Sequence, residues 1–386
     1  MSFSDRTSRE LTPNALSSAL DARRARGEAL LDLTVSNPTT ASIAYDSRAI
    51  LAALSDPRAL AYAPEPLGLL SAREAVAVEM ARANVAVDPS RILLTASTSE
   101  AYSFLFKLLC DPGDDVLVPT PSYPLFDLLA GFESVRLVPY RLAYDGAWHV
   151  DHDSVRRAIT PRTRAIFVVS PNNPTGSYLK EDELARLGDL GLPIVSDEVF
   201  ADYPLGEAPA TRARSALVES RVLVFALSGL SKLAALPQMK LAWTCVGGPE
   251  PAVREAISRL ELLGDSFLSA GTPVQTALPA LLASRAPATA AIRARTGENL
   301  ARLRAAIGEG SAATLLHVEG GWYATLRVPR TKREEEWAIE LVEGDGVYVH
   351  PGHFFGFEDE AYLVVSLLTE PAAFEEGIAR LLRRVG

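Results

Sequence analysis

From residue 92 to residue 246 the chain alternates short, unbroken apolar runs with longer stretches in which apolar positions recur every three or four residues. The runs fall at 92–95, 115–119, 135–139, 165–170, 193–197, 222–227 and 241–246. Runs without a polar alternate position suit strands buried on both faces. The amphipathic stretches at 71–83, 99–110, 124–131, 154–159 and 180–190 predict helices before and between them. Strands and helices in alternation predict an α/β fold: a large domain whose mostly parallel sheet is covered by helices.

The last third reads differently. Helix-rich sequence at 253–307 leads to a strand-like run at 320–329 behind Gly320 and Gly321. A helix at 333–343, strands at 347–350 and 362–367, and a helix at 371–384 follow, which predicts a smaller α+β domain. The expected division is an N-terminal segment, 1–45, packing with the small domain, a large cofactor-binding domain, 46–275, and a small domain, 276–386. No repeat is visible. The longest charge-free apolar stretch, 266–284, contains Pro273, Gln275 and Pro279 and reads as a buried loop and helix, not a membrane span. The opening MSFSDRTSRE has no apolar core for a signal peptide.

A length of 386 residues suits two domains sharing an interface. With 48% hydrophobic and 22% charged residues, disordered, collagen-like and disulfide-stapled chains are excluded. Asp plus Glu outnumber Lys plus Arg by 48 to 38, and this net charge of −10 argues against nucleic-acid or anionic-membrane partners. Cys110 and Cys245 stand in apolar surroundings and read as buried thiols of a reducing compartment, so a cytoplasmic protein is expected. No CxxC or HExxH spacing occurs, and no metal site is expected.

Four motifs carry chemistry. In SGLSK, 228–232, a lysine closes a Ser/Gly turn behind a strand. Such a lysine is commonly a surface cap, but one held in a tight turn and buried is a nucleophilic amine that condenses with an aldehyde. SPNNPTG, 170–176, follows another strand. Asn, Pro and Gly make any turn, yet ligands of open α/β sheets bind at this strand edge. In VSDEVF, 195–200, two carboxylates end a strand. They suit a helix cap or, alternatively, a buried aspartate paired with a ligand cation. In TASTSEA, 95–101, small hydroxyl residues lie between strand and helix, as caps or as a phosphate cradle.

The order SPNNPTG, SDE, SGLSK resembles the class I/II aminotransferases, fold-type-I enzymes dependent on pyridoxal 5′-phosphate. The resemblance runs from Ser36-Asn37-Pro38 to the C-terminal helix, and the SGLSK turn looks most like the alanine and tyrosine aminotransferase branch. It implies roles residue by residue. Lys232 matches the Schiff-base lysine that shuttles the proton between substrate Cα and cofactor C4′. Asp197 matches the partner of the pyridinium nitrogen. Asn173 matches the donor to the phenolic oxygen, and Tyr123 the aromatic stacked on the ring. Ser97, Thr98 and Ser99, helped by Ser231, match the phosphate turn. Tyr62, with Arg73 behind it, matches a tyrosine reaching the phosphate in the partner subunit, which implies a homodimer with shared sites.

Three positions depart from the family. Lys240 stands where an arginine forks onto the phosphate, which keeps charge and loses bidentate geometry. Phe200 replaces a tyrosine that bonds the phenolic oxygen, leaving Asn173 alone unless Tyr203 or a water substitutes. Val364, in YLVVS, stands where an arginine binds the substrate carboxylate. Arg327 is the candidate replacement. Asn37 and His353, the latter in the HPGHFFG run at 350–356, are candidate substrate contacts. The expected function is transamination between an amino-acid donor and a 2-oxo-acid acceptor. A C–S lyase, decarboxylase or oxidase on the same scaffold is the alternative. A non-catalytic cofactor-binding protein ranks below both, because Lys232, Asp197 and Asn173 are all present.

Overall fold

The apolar runs in the middle of the chain become neighbouring strands because each needs cover on two faces. The computed structural model describes residues 3–7, 12–357 and 361–386. After β1 (Leu31–Asp32) in the N-terminal segment come β2 (Ile92–Thr95), β3 (Asp115–Thr120), β4 (Arg136–Tyr144), β5 (Trp148–Val150), β6 (Thr163–Val169), β7 (Ile194–Asp197), β8 (Val224–Gly229) and β9 (Ala242–Gly247). The last eight form one sheet in the order β2-β9-β8-β7-β6-β3-β4-β5. β4, β3, β6, β7 and β8 are parallel to one another. β9 is antiparallel to both β8 and β2, so β2 shares the common direction.

β6 shows why its run lacks polar alternation. Ala165, Phe167 and Val169 enter a core with Tyr102 and Phe106 on one face. Ile166 and Val168 enter a core with Trp148, Tyr203 and Trp322 on the other. The seven apolar runs all become strands; six are shifted by no more than a residue or two at their ends, and β4 runs on five residues past the expected 139 to Tyr144, where it pairs with β5. β5 is a three-residue edge strand paired with β4, too short to leave a run in the sequence.

The smaller layer is an antiparallel sheet in the order β10-β11-β14-β13, from β10 (Thr314–Leu315), β11 (Tyr323–Arg327), β13 (His350–Pro351) and β14 (Tyr362–Ser366), with β12 (Val347–Tyr348) paired to β1. The helix Pro371–Val385 starts on a proline, and its cap Glu370 accepts from the amides of Ala372 and Ala373. Phe374, Ile378, Leu381 and Val385 form one stripe buried against this sheet. Leu16, Leu20 and Leu33 join the same core, so the N-terminal segment and the last helix close on it together.

Residues 275 and 276 fall inside the helix Thr272–Ala283, whose Val274, Ala277, Leu278 and Leu281 pack with Ala72, Val76 and Trp243 of the large-sheet layer. Gln275 fixes it there, accepting from the Leu69 amide and donating to the Ala270 carbonyl. The chain crosses to the smaller core along the helix Ala286–Ala306: Ile292 lies with Trp322, and Leu300 and Leu303 lie in the small-sheet core. Among the described residues no helix is long and apolar enough to cross a membrane.

Candidate active site

The C-terminal ends of β2, β3, β6, β7 and β8 lie along one edge of the sheet, and the chemically suggestive motifs follow those ends. Open α/β sheets bind ligands at this edge. Ala242, at the start of β9, pairs with Thr95 on one side and Gly229 on the other. The turns after β2 and β8 are therefore neighbours, with Lys240 two residues before the shared partner. Gly229 permits this approach, since a Cβ there would stand 3.0 Å from Cα and Cβ of Ala242.

Lys232 lies on the short helix Leu230–Leu233. Its Nζ sits 4.8 Å from the ring centre of Trp322 and 5.5 Å from that of Phe200. Burial among these rings brings the amine down to about 8, and the negative charge of Asp197 partly opposes that fall. Asp197, the last residue of β7, is 8% exposed. Burial raises its carboxyl above the ordinary range, against three influences that lower it, of which a hydrogen bond from Tyr102 is the largest. The Tyr102 hydroxyl donates to Oδ2 at 2.8 Å, and the Val199 amide donates to Oδ1 at 3.1 Å. Tyr123 is 41% exposed; burial of its hydroxyl and, after it, the Asp197 charge both raise that group.

The two asparagines of SPNNPTG divide the work. Asn172 is consumed by structure: it donates to the Pro121 carbonyl and to Thr175 Oγ1, and accepts from Ser122 Oγ. It thereby fixes the loop that carries Tyr123. Asn173 is also buried, and its Oδ1 has no hydrogen-bond partner. An amide presents oxygen or NH2 after a half-turn, so this end is a free donor or acceptor. Gly176, at φ +71°, turns the loop where a Cβ would meet Val318 at 2.3 Å.

Ser97 caps the helix Thr98–Leu109, its Oγ accepting from the Glu100 amide at 3.2 Å. Glu100 is itself held by the Ala96 amide and Ser269 Oγ. The first-turn amides of Thr98 and Ser99 have no partner within the helix, and that end of a helix favours an anion. The turns that carry Ser97, Thr98, Ser99, Ser231 and the exposed Lys240 thus all adjoin the start of β9.

The remaining positions differ in burial and partners. Tyr203 is fully buried and donates to the Lys232 carbonyl at 2.6 Å, so its hydroxyl is already engaged. Val364 is 1% exposed, between Thr325 and His350 across the strands and in the core cluster of Phe355 and Phe357. The Oγ1 of Thr325 beside it is buried without a partner. Arg327 lies at the exposed end of β11, about 13 Å along the strand from Tyr323. Asn37 is exposed, and its Oδ1 accepts from the Thr39 amide and hydroxyl. His353 pairs with Glu334 at 3.6 Å and lines a cavity of about 740 Å³ with Arg330, Lys332 and Arg333. Tyr62 is 83% exposed and shares a cleft with Leu268 and Gln275. Arg73 bonds the carbonyls of Gly68 and Pro89 and so fixes the turn behind Tyr62.

The sequence reading missed Tyr102 and Trp322. A tyrosine in an apolar helix face and a tryptophan after two glycines both read as core, and their site neighbours are far away in the chain.

A mostly parallel sheet with a half-buried lysine and a buried aspartate at its C-terminal edge, joined to a small antiparallel layer, defines the fold-type-I aminotransferase architecture. The chain belongs to the aminotransferase class I and II family, which it matches over residues 28–381. The alanine aminotransferase of Pyrococcus furiosus shares the fold, with a TM-score of 0.89, 24% identity and 99% of each chain covered. Nicotianamine aminotransferase A of Hordeum vulgare is 25% identical over 306 residues, 75% of this chain. The glutamate-pyruvate aminotransferase of Escherichia coli K12 is 30% identical over 195 residues, 50% of this chain. The matches span 65% and 48% of these two curated relatives.

Proposed function

We propose that the protein is a pyridoxal 5′-phosphate-dependent aminotransferase moving an amino group between an amino acid and a 2-oxo acid. The observation that carries this reading is a half-buried lysine whose amine lies 4.8 Å from the Trp322 ring and 5.5 Å from the Phe200 ring, with the buried Asp197 at the end of the neighbouring strand, at the ligand-binding edge of the sheet; burial brings that amine down to about 8. The residues fit the cofactor. Asn173 Oδ1 is an orphaned polar atom there, and the turn at 97–99 offers amides and hydroxyls to a phosphate. The family and the curated relatives' names support the same reaction.

When bound, the cofactor supplies an aldehyde and an electron-withdrawing ring. Lys232 is the residue for covalent attachment, and its neutral amine moves the proton at substrate Cα and at cofactor C4′. Asp197 holds the proton on the ring nitrogen. Asn173 and Tyr123 orient the ring, and Ser97, Thr98, Ser99, Ser231 and Lys240 hold the phosphate. Tyr62 completes the phosphate site of a partner copy, so the working unit is a homodimer. Asn37, Arg327 and His353 stay as substrate contacts in this reading, and the protein works in the cytoplasm, without a nucleic-acid or membrane partner.

A donor screen on the holoenzyme tests the reaction. Because position 364 carries no guanidinium, the screen spans acidic, aromatic and aliphatic amino acids and amines without a carboxylate. The expected result is loss of the cofactor's visible absorption with one donor class and its return on adding a 2-oxo acid. Product released continuously without any 2-oxo acid would establish the lyase or decarboxylase alternative instead. No change with any donor would remove the catalytic reading.

A further inference from the structure

We propose that Tyr102 is a positioning residue for Asp197: its buried hydroxyl engages Oδ2 and fixes how that carboxylate meets the cofactor's ring nitrogen. The inference rests on the cofactor site proposed above.

The geometry is specific. Tyr102 is 3% exposed, and its hydroxyl lies 2.8 Å from Oδ2. The ring cannot swing away. It stacks on Phe167, with centroids 5.6 Å apart and planes at 26°, and meets Phe126 edge-on at 5.1 Å. Phe126 in turn meets the Tyr123 ring edge-on at 6.3 Å. All these neighbours are apolar on the faces they present, so phenylalanine would fill the space equally well. What tyrosine adds is the hydroxyl.

That hydroxyl works against burial. An apolar enclosure favours the neutral acid, whereas hydrogen bonds to the carboxylate favour the charged form. Of the influences lowering Asp197, the Tyr102 bond stands first and the Val199 amide second. Burial and the Asp197 charge hold the Tyr102 hydroxyl well above its usual range, so it stays a donor throughout working pH. One oxygen thus takes the tyrosine and the other the amide, and each keeps a free lone pair for a ring N–H.

Tyr102 also links the two ends of the site. It lies on the helix capped by Ser97, about 7.5 Å along the axis from that cap. One helix therefore offers its first turn to the phosphate and its flank to the carboxylate that meets the ring.

Tyr102→Phe tests this, because it removes one oxygen and keeps the ring. The apo variant should melt within a few degrees of the wild type. Its cofactor dissociation constant, titrated by absorbance, should rise about tenfold at neutral pH. The acid-side loss of cofactor affinity should begin about half a pH unit higher, since Asp197 now protonates more readily. In an Asp197→Asn background the same change should add almost nothing. A cofactor-free arm keeps the two readings separate: infrared titration of the apo chain, with Asp197→Asn assigning the carboxyl band, should show a higher midpoint in Tyr102→Phe. A shifted band in a chain that binds no cofactor would sink the cofactor site and leave the Tyr102–Asp197 coupling standing. An unmoved band and an unmoved affinity profile would overturn the role of Tyr102. So would an equal loss of affinity at every pH together with a lower apo melting temperature, which would make the hydroxyl a packing element.

Discussion

Opposite influences act on Lys232 and Asp197, and the same burial drives both. Lys232 loses its proton more readily and Asp197 holds its own more tightly, while each charge pulls the other back. The sign for Lys232 follows. Below about pH 8 the amine is mostly protonated and cannot attack an aldehyde; above it the nucleophile is present. Covalent attachment of added cofactor should therefore speed up from pH 6 to 9 with its midpoint at about 8, read by stopped-flow absorbance. Asp197→Asn should keep part of the cofactor affinity and lose turnover by about a hundredfold or more, because an amide does not hold a proton on the ring nitrogen. An unchanged rate would remove Asp197 from the mechanism. Phe200 asks a different question. With Tyr203 engaged on the Lys232 carbonyl, Asn173 is the remaining side chain suited to the phenolic oxygen. Phe200→Tyr should then lower the pH midpoint of the bound cofactor's visible absorption change, and an unchanged midpoint would mean that residue 200 points elsewhere. At this scale Lys232, Asp197 and Asn173 could be named as candidates from the sequence, because each stands in a motif at a strand end. Tyr102 could not, because its meaning depends on a partner 95 residues away.

Elements were legible where burial on both faces leaves a chemical trace. The run at 165–170 reads as a strand because alternate residues enter two different cores. β5 left no trace, since three residues on a sheet edge are too few for a pattern. The helix Pro371–Val385 was legible through its stripe, and the stripe also carries its stability. Phe374 is wholly buried in it. Phe374→Ala should cost about 3–5 kcal/mol, seen as a lower urea midpoint, by lost transfer energy and the cavity left behind. A change under 1 kcal/mol would mean that the small-sheet layer does not depend on that packing. The passage between layers was harder to read. The buried face of the helix Ala286–Ala306 mixes Thr289, Thr296 and Asn299 with Ile292, Leu300 and Leu303, so it leaves no clean apolar stripe, yet it serves the large core at one end and the small core at the other.

For the whole molecule, the parallel strand direction matters most, because it gathers five strand ends and their motifs on one edge. The surface also bears on the proposed assembly. Leu60 is 91% exposed, Tyr62 83% and Leu262 70%. The homodimer reading expects these side chains at the contact between copies. Sedimentation should give twice the chain mass, and Tyr62→Ala should weaken cofactor binding without changing melting of the apo chain. A monomer with full cofactor affinity would refute the shared site. The central claim is chemical: a cofactor aldehyde meets one lysine of this chain. Incubation with pyridoxal 5′-phosphate, borohydride reduction and peptide mass mapping tests it directly. The account predicts a single cofactor adduct on the peptide holding Lys232, absent from Lys232→Ala. An adduct at Lys240 or another lysine, or one that persists in Lys232→Ala, would contradict it.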